Sequence, residues 1–217
     1  MVASVTAAST TSVSFGVPSN ANVSSTQSFT FTPPSSGGGG GTAAWTSRAS
    51  PNSFILNGLS YGSGKFVAVG FNRVIVTSTD GLVWSTQAAS DTAFYQGNAV
   101  IWDDAQFVMV GDKNFGAAQP PLIATSPDGV TWTRRALTAT EAPAGFKPQA
   151  VMAVGSTLSA VGDNGQTKHI VVSSTDGGAT GTQDCEGTTT GQAVQNGLAS
   201  SGSRAVAVGG VEMLTLP

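Results

Sequence analysis

Four copies of one short apolar string constrain what this chain can fold into: Phe66-Val-Ala-Val-Gly70, Phe107-Val-Met-Val-Gly111, Leu158-Ser-Ala-Val-Gly162 and Ala205-Val-Ala-Val-Gly209. The closing glycines follow one another at intervals of 41, 51 and 47 residues. A period of that size marks an array of similar units, each a small antiparallel sheet that cannot bury its apolar face alone. Around each string the grammar is regular. A segment such as Leu56-Asn-Gly-Leu-Ser-Tyr61 or Gln195-Asn-Gly-Leu-Ala199 precedes it, and a further alternating stretch such as Arg73-Val-Ile-Val-Thr77 or Leu122-Ile-Ala-Thr125 follows.

Each third stretch runs into a turn with its own chemistry. The copies are Ser78-Thr-Asp80-Gly81-Leu-Val-Trp84, Ser126-Pro-Asp128-Gly129-Val-Thr-Trp132 and Ser174-Thr-Asp176-Gly177, the last with Thr180 read at the Trp position. Ser and Asp side chains hydrogen-bond nearby backbone N–H groups, and Gly supplies the positive φ of a tight hairpin. The Trp then opens an outermost strand and covers the turn. Three strands plus this one make a four-stranded meander, one propeller blade.

These residues resemble the Asp-box repeats of bacterial-neuraminidase-repeat-like β-propellers, with one residue fewer than usual between Asp and Gly. The resemblance covers about 45–217 and implies a β-propeller; the four repeats make it an all-β, four-bladed one. Propellers of this kind include sialidases, photosystem II assembly factors and phage virion structural proteins, so the resemblance speaks to fold rather than to activity.

Closure is expected at the chain's two ends. The fourth unit, 192–217, has no outer strand, whereas Ala44-Trp45-Thr-Ser-Arg48-Ala49 matches the outer strand Thr131-Trp132-Thr-Arg-Arg135-Ala136. Residues 44–48 are therefore expected to complete the last blade, bringing Trp45 to Val211 and Met213 and removing two open sheet edges. Ahead of them lie residues 1–36, read as an extended arm too short to hold a core. Its alternating stretches Val13-Ser-Phe15 and Phe29-Thr-Phe31 are expected to anchor a partner through Val13, Phe15, Phe29 and Phe31. Residues 37–42, with the run Gly37–Gly41, form a flexible linker to the propeller at 43–217.

Composition limits function. Asp, Glu, Lys and Arg make up 10% of the 217 residues, against roughly 25% in ordinary soluble domains, which leaves a surface rich in hydroxyls and backbone. Net charge is −3, with nine Lys plus Arg, so no nucleic-acid partner is expected. No apolar run reaches membrane-spanning length and the N-terminus has no basic leader, so neither membrane insertion nor a secretory signal is expected. The single cysteine, Cys185, excludes an internal disulfide.

No catalytic set emerges. Asp80, Asp128 and Asp176 recur at turns that need an acceptor, which is a structural role. A sialidase would need an arginine cluster and a Tyr–Glu pair, and neither Tyr61 nor Tyr95 has a glutamate in register. His169 is the only histidine, is read as a polar loop residue, and cannot build a His-based zinc site. Neither metal nor cofactor is expected. Asp112, Asn114, Phe115, Asp163 and Asn164 fall in loops that follow the second strands and are candidate ligand loops, although Asx turns explain them without a metal. The long stretches Asp112–Pro121, Leu137–Pro148 and Thr182–Gly191 are read as loops.

The expected role is a non-enzymatic phage virion structural protein, a capsid decoration, head fibre or tail-fibre component made in the host cytoplasm. Residues 1–36 would hold a capsid or tail protein, and the propeller, in many copies per particle, would face the host surface, with a surface glycan as candidate ligand. The alternatives are a protein-docking assembly factor and, less favoured, a glycosidase.

Overall fold

A computed structural model describes residues 12–14, 28–30, 45–88, 96–112, 121–135, 137–138, 140–143, 145–164, 168–188, 197–202, 204–209 and 212–216. The chain divides into two compact units, Met1–Ser47 and Arg48–Pro217. In the first, β1 (Ser12–Ser14) pairs antiparallel with β2 (Ser28–Thr30), and Val13 stands opposite Phe29. The arm is thus not uniformly extended: its two alternating stretches satisfy their backbone groups on each other, because closing so short a loop costs little entropy. Three-residue strands are marginal by themselves. Phe15 and Phe31 lie outside the described residues.

Among the described residues the second unit carries four antiparallel sheets in chain order. The first comprises β3 (Leu56–Gly62), β4 (Lys65–Gly70), β5 (Ile75–Ser78) and β6 (Ser85–Gln87). The second comprises β7 (Gln96–Trp102), β8 (Phe107–Asp112), β9 (Leu122–Ser126) and β10 (Thr133–Arg135). The third comprises β11 (Lys147–Val154), β12 (Thr157–Asp163), β13 (Lys168–Ser174) and β14 (Thr182–Thr188). The fourth comprises β15 (Gly197–Ser200), β16 (Ala205–Gly209) and β17 (Glu212–Leu216). In every sheet each strand pairs with the next in sequence, the meander expected of a blade. Among the described residues no helix is long and apolar enough to cross a membrane.

Local sequence explains the meanders. The first hairpin turns at Ser63-Gly64, both at positive φ (48° and 75°), as a two-residue turn matched to strand twist requires. The strands then alternate. Val67 and Val69 of β4 join Ile75, Val100, Phe107, Met109 and Trp132 in the core between the first and second sheets. Val108, Val110 and Ile123 join Val151, Leu158, Ala160 and Val172 between the second and third. Each side chain of this size contributes roughly 1.5–3 kcal/mol when buried. First strands neighbour one another along the array, β3 beside β7, β7 beside β11 and β11 beside β15.

The sheets are joined by a device that propensity alone does not reveal. The first pair of strands in the first three sheets slips register by one residue, at Leu56/Gly58, Gly97/Ala99 and Pro148/Ala150. The extra residue at each β-bulge is Asn57, Asn98 and Gln149. Asn57 Nδ2 donates to the carbonyl of Gly97 (3.0 Å) and Asn98 Nδ2 to that of Pro148 (2.9 Å), so the first two bulges each tie their sheet to the next. The bulge also lays a carbonyl over the glycine that closes the second strand: Ile55 over Gly70, Gln96 over Gly111 and Lys147 over Gly162. A Cβ there would overlap the carbonyl oxygen, and this is why the repeated string ends in glycine.

Two expectations are corrected. Residues 45–50 carry no strand, Trp45 is fully exposed, and among the described residues the fourth sheet has three strands. The strand expected over 44–48 is thus absent from 45–48, and Val211 lies outside the described residues. Trp45 matches Trp132 in local sequence but lacks the Ser-x-Asp-Gly turn that holds Trp132 in place. The stretch 182–191, read as a loop, is β14 over Thr182–Thr188, paired with β13 through a bulge at Asp184. Its Thr and Gly content hid the strand.

Candidate functional site

The repeated turns are the chain's most regular polar constellations, and hydrogen bonding fixes their roles. In the first, Ser78 Oγ donates to Asp80 Oδ1 (3.0 Å) and accepts from the Gly81 amide (2.9 Å). Asp80 Oδ1 accepts from the amides of Leu82 (2.8 Å) and Val83 (2.9 Å), and Trp84 Nε1 donates to the carbonyl of Gly81 (3.3 Å). The second turn repeats every bond: Ser126 to Asp128 (3.0 Å), Gly129 to Ser126 (2.8 Å), Val130 and Thr131 to Asp128 (2.8 Å each), and Trp132 to Gly129 (3.2 Å). Gly81 and Gly129 sit at φ of 70° and 71°, in the left-handed region that glycine alone enters freely.

The third turn is one residue longer. Ser174 still donates to Asp176 (2.8 Å), but it accepts from Gly178, and Asp176 accepts from the Thr180 amide (2.9 Å) and hydroxyl (2.6 Å). Gly178 is thus the equivalent of Gly81, and Gly177 is the inserted residue. Three positions past Gly178 stands Gly181, not Thr180, so the Trp position falls at Gly181. Leu137 occupies that space: both its methyls and Val172 would crowd a Cβ on Gly181 (3.2 Å). A small apolar cavity of about 20 Å³ remains beside it, lined by Val108, Val110, Ile123, Leu137, Val151 and Val172. Leu137→Ala is expected to cost about 2–5 kcal/mol, read from urea unfolding; a loss under about 1 kcal/mol would show that Leu137 does not stand in for the missing indole.

These carboxylates are held ionised. The Asp80 carboxyl lies below its ordinary value because the amides of Val83 and Leu82 and the Ser78 hydroxyl donate to it. Asp128 is lowered by Thr131 and Val130, with a smaller effect of Lys65. Asp176 is lowered by the Thr180 hydroxyl and amide, and Glu141 by the Thr138 hydroxyl and amide and the Gly181 amide. Groups that give up protons so readily are poor general acids at neutral pH. Because the folded state binds these protons more weakly than the unfolded chain, their contribution is full above the ordinary carboxylate range and lost as pH falls through it. The thermal midpoint is therefore expected to stay level from pH 7 to about 5 and to drop below about 4. Asp128→Asn is expected to lower the midpoint at pH 7 and to shrink the acid drop.

Those of the remaining candidates that are described fall at or just past strand ends. Asp112 ends β8, while Asn114 and Phe115 lie outside the described residues. Asp163 is buried at the end of β12, opposite Lys147 and His169 in the ladders. Asn164 closes the next hairpin: its Oδ1 accepts from the Lys168 amide (3.1 Å) and its amide donates to the Lys168 carbonyl (3.2 Å). His169, read as a loop residue, is buried in β13, and its imidazole lies over Gly187, where any Cβ would overlap it. The β-branched run Ile170-Val-Val172 beside it was the signal for that strand. Among the described residues no group of three or more His, Cys, Asp or Glu is placed to hold a metal ion.

Comparison with known proteins bears on the architecture. The most informative solved structure is "YCF48 bound to D1 peptide", with TM-score 0.56 and 18% identity over 77% of this chain and 53% of that chain. The fold is that of β-propeller blades. Other matches are the Bombyx mori GH32 beta-fructofuranosidase BmSUC1 (TM-score 0.46, 17% identity, 70% of this chain and 40% of that chain) and an exo-1,5-alpha-L-arabinanase from a bovine ruminal metagenomic library (0.48, 11%, 75% and 66%). This chain thus spans about half the length of the YCF48 chain it matches. No family model matches the sequence, and no curated protein matches it.

Proposed function

We propose that this chain is a non-catalytic virion structural protein, in which residues 1–36 anchor to a capsid or tail protein and the blades are displayed for surface or glycan contact. The observation that carries the reading is the division into Met1–Ser47, with its small β1–β2 pair, and Arg48–Pro217, with all four larger sheets. A five-glycine run in the first unit gives the arm reach. The commitment of Asp80, Asp128 and Asp176 to turn amides favours structure over acid–base chemistry. A low-charge, hydroxyl-rich surface suits a module repeated many times on one particle.

Full-length chain and a chain lacking residues 1–36 are compared for incorporation into phage particles, by electron microscopy and by sedimentation of bound protein. The full chain is expected to sediment with the particles and the truncated chain to stay free, while the thermal transition of the truncated chain is unchanged. Equal incorporation of both would sink the anchoring role. A fluorogenic-glycoside screen on the full chain tests the enzymatic alternative, and turnover there would replace this reading. The docking-platform reading draws on the neighbour solved with a peptide, and it predicts peptide capture by the truncated chain as well.

A further inference from the structure

We propose that two copies of this chain associate head to tail, the outer face of the first sheet in one copy packing on the outer face of the fourth sheet in the other. The inference rests on how the repeat positions fill, and it does not depend on the virion reading. In each Val-Gly pair the valine faces the sheet that follows: Val69, Val110 and Val161 are all 0% exposed, whereas Val208 on the fourth sheet is 43% exposed. At the fourth position after each bulge carbonyl, the first strand faces the sheet that precedes it. There Val100 is 4% and Val151 is 8% exposed, whereas Leu59 on the first sheet is 60% exposed.

The array therefore carries one unfilled half of each kind of junction, and the two halves are complementary. Tyr61 extends the patch on the first sheet, as do Leu82 and Val83 of its turn; Met213, opposite Val208 in the ladder, extends the patch on the fourth. Inside the chain the same junction is already built twice. Val100 packs with Val67 and Val69 at one, and Val151 with Val108 and Val110 at the other. A second copy continues this packing with no new kind of contact.

Charge agrees with the register. Lys65, just before Phe66, acts on Asp128 in the turn of the following sheet. Gln106 holds the same position in the second sheet, and its side chain donates to the carbonyl of Gly177 in the third sheet's turn (3.2 Å). Arg204 holds this position in the fourth sheet and is exposed, while the first sheet's turn presents the exposed Asp80. Head-to-tail packing sets Arg204 of one copy at the Asp80 turn of the other. Two copies bring eight sheets, within the size of closed propellers, and a heterologous contact made twice closes the ring.

Sedimentation velocity on the full chain over a concentration series is expected to show a dimer. Leu59→Lys and Val208→Glu each place an unpaired charge in one half-junction, and each is expected to weaken the dimer by about tenfold or more. Both side chains are exposed in the single copy, so the far-UV circular dichroism of each variant stays that of the parent; Met213→Lys is a second variant for the fourth sheet. Mixing the first two variants is the deciding arm. In a head-to-tail pair one junction is then unaltered and the other sets the introduced lysine against the introduced glutamate, so the mixture dimerises more tightly than either variant alone. A monomer throughout the series, unweakened single variants, a mixture no tighter than its parts, or growth beyond two copies would each overturn the proposal.

Discussion

Trp132→Ala is expected to lower the stability of the sheet array by about 3–5 kcal/mol, measured by urea unfolding followed by circular dichroism. The indole is buried with Val67, Val69, Val100, Phe107 and Met109, where the first two sheets meet. Truncation removes its apolar contacts and also the Nε1 bond to the Gly129 carbonyl. Trp84→Ala supplies the control. Trp84 makes the matching bond within its own turn, but it packs against Phe66, Ala68, Val74 and Val76, on the side of the first sheet away from the second. It should cost clearly less. Equal losses at the two positions would mean that the tryptophans stabilise turns, not the junction between sheets.

The second large effect is expected from the smallest substitution. Gly111→Ala adds one methyl where the Gln96 carbonyl crosses the strand, with the backbone of Gln96 and Gly97 closing the space. Gly162→Ala meets the Lys147 carbonyl and Pro148 in the same way. Backbone cannot yield as the tip of a flexible side chain can, so each is expected to cost about 3 kcal/mol or more, at the upper end of overpacking. Gly64→Ala is the comparison: its φ is 75° and nothing lies within 4 Å of a Cβ, so only the modest strain of a left-handed alanine remains. If Gly111→Ala and Gly64→Ala melt alike, the bulge does not hold its carbonyl over the glycine.

Much of this architecture could be read from the residues, because its signals are local. The Ser-x-Asp-Gly turns depend on side chains reaching amides two to four residues away, and the alternating Val strands show their period directly. The closing glycine was legible as a marker, but its cause was not, since the carbonyl above it comes from another strand. The same limit hid Asn57 and Asn98, whose partners lie 40 and 50 residues on. In the third turn, one inserted glycine moved the Trp position from Thr180 to Gly181, a shift that only the hydrogen bonds of Ser174 and Asp176 reveal. Trp45 failed differently. Its neighbourhood copies a rim strand, but a rim strand is held by a turn that this segment does not have. His169 and β14 were misread because polar and small residues there stand in a ladder.

Removing residues 1–47 tests the division into two units. The thermal transition of the four sheets is expected to move by no more than a few degrees, because Trp45 is fully exposed and the boundary falls at Ser47. A collapse of the transition would show that this segment belongs to the sheets.

The turn aspartates meet their charge mainly with backbone amides and hydroxyls rather than with cations. Mobile ions weaken attraction between separated charges across solvent, but they have little to act on where donor and acceptor are joined by two to four peptide units. Concentrated brine should therefore leave these three staples intact, and the blades could pass between fresh and saline surroundings unaltered.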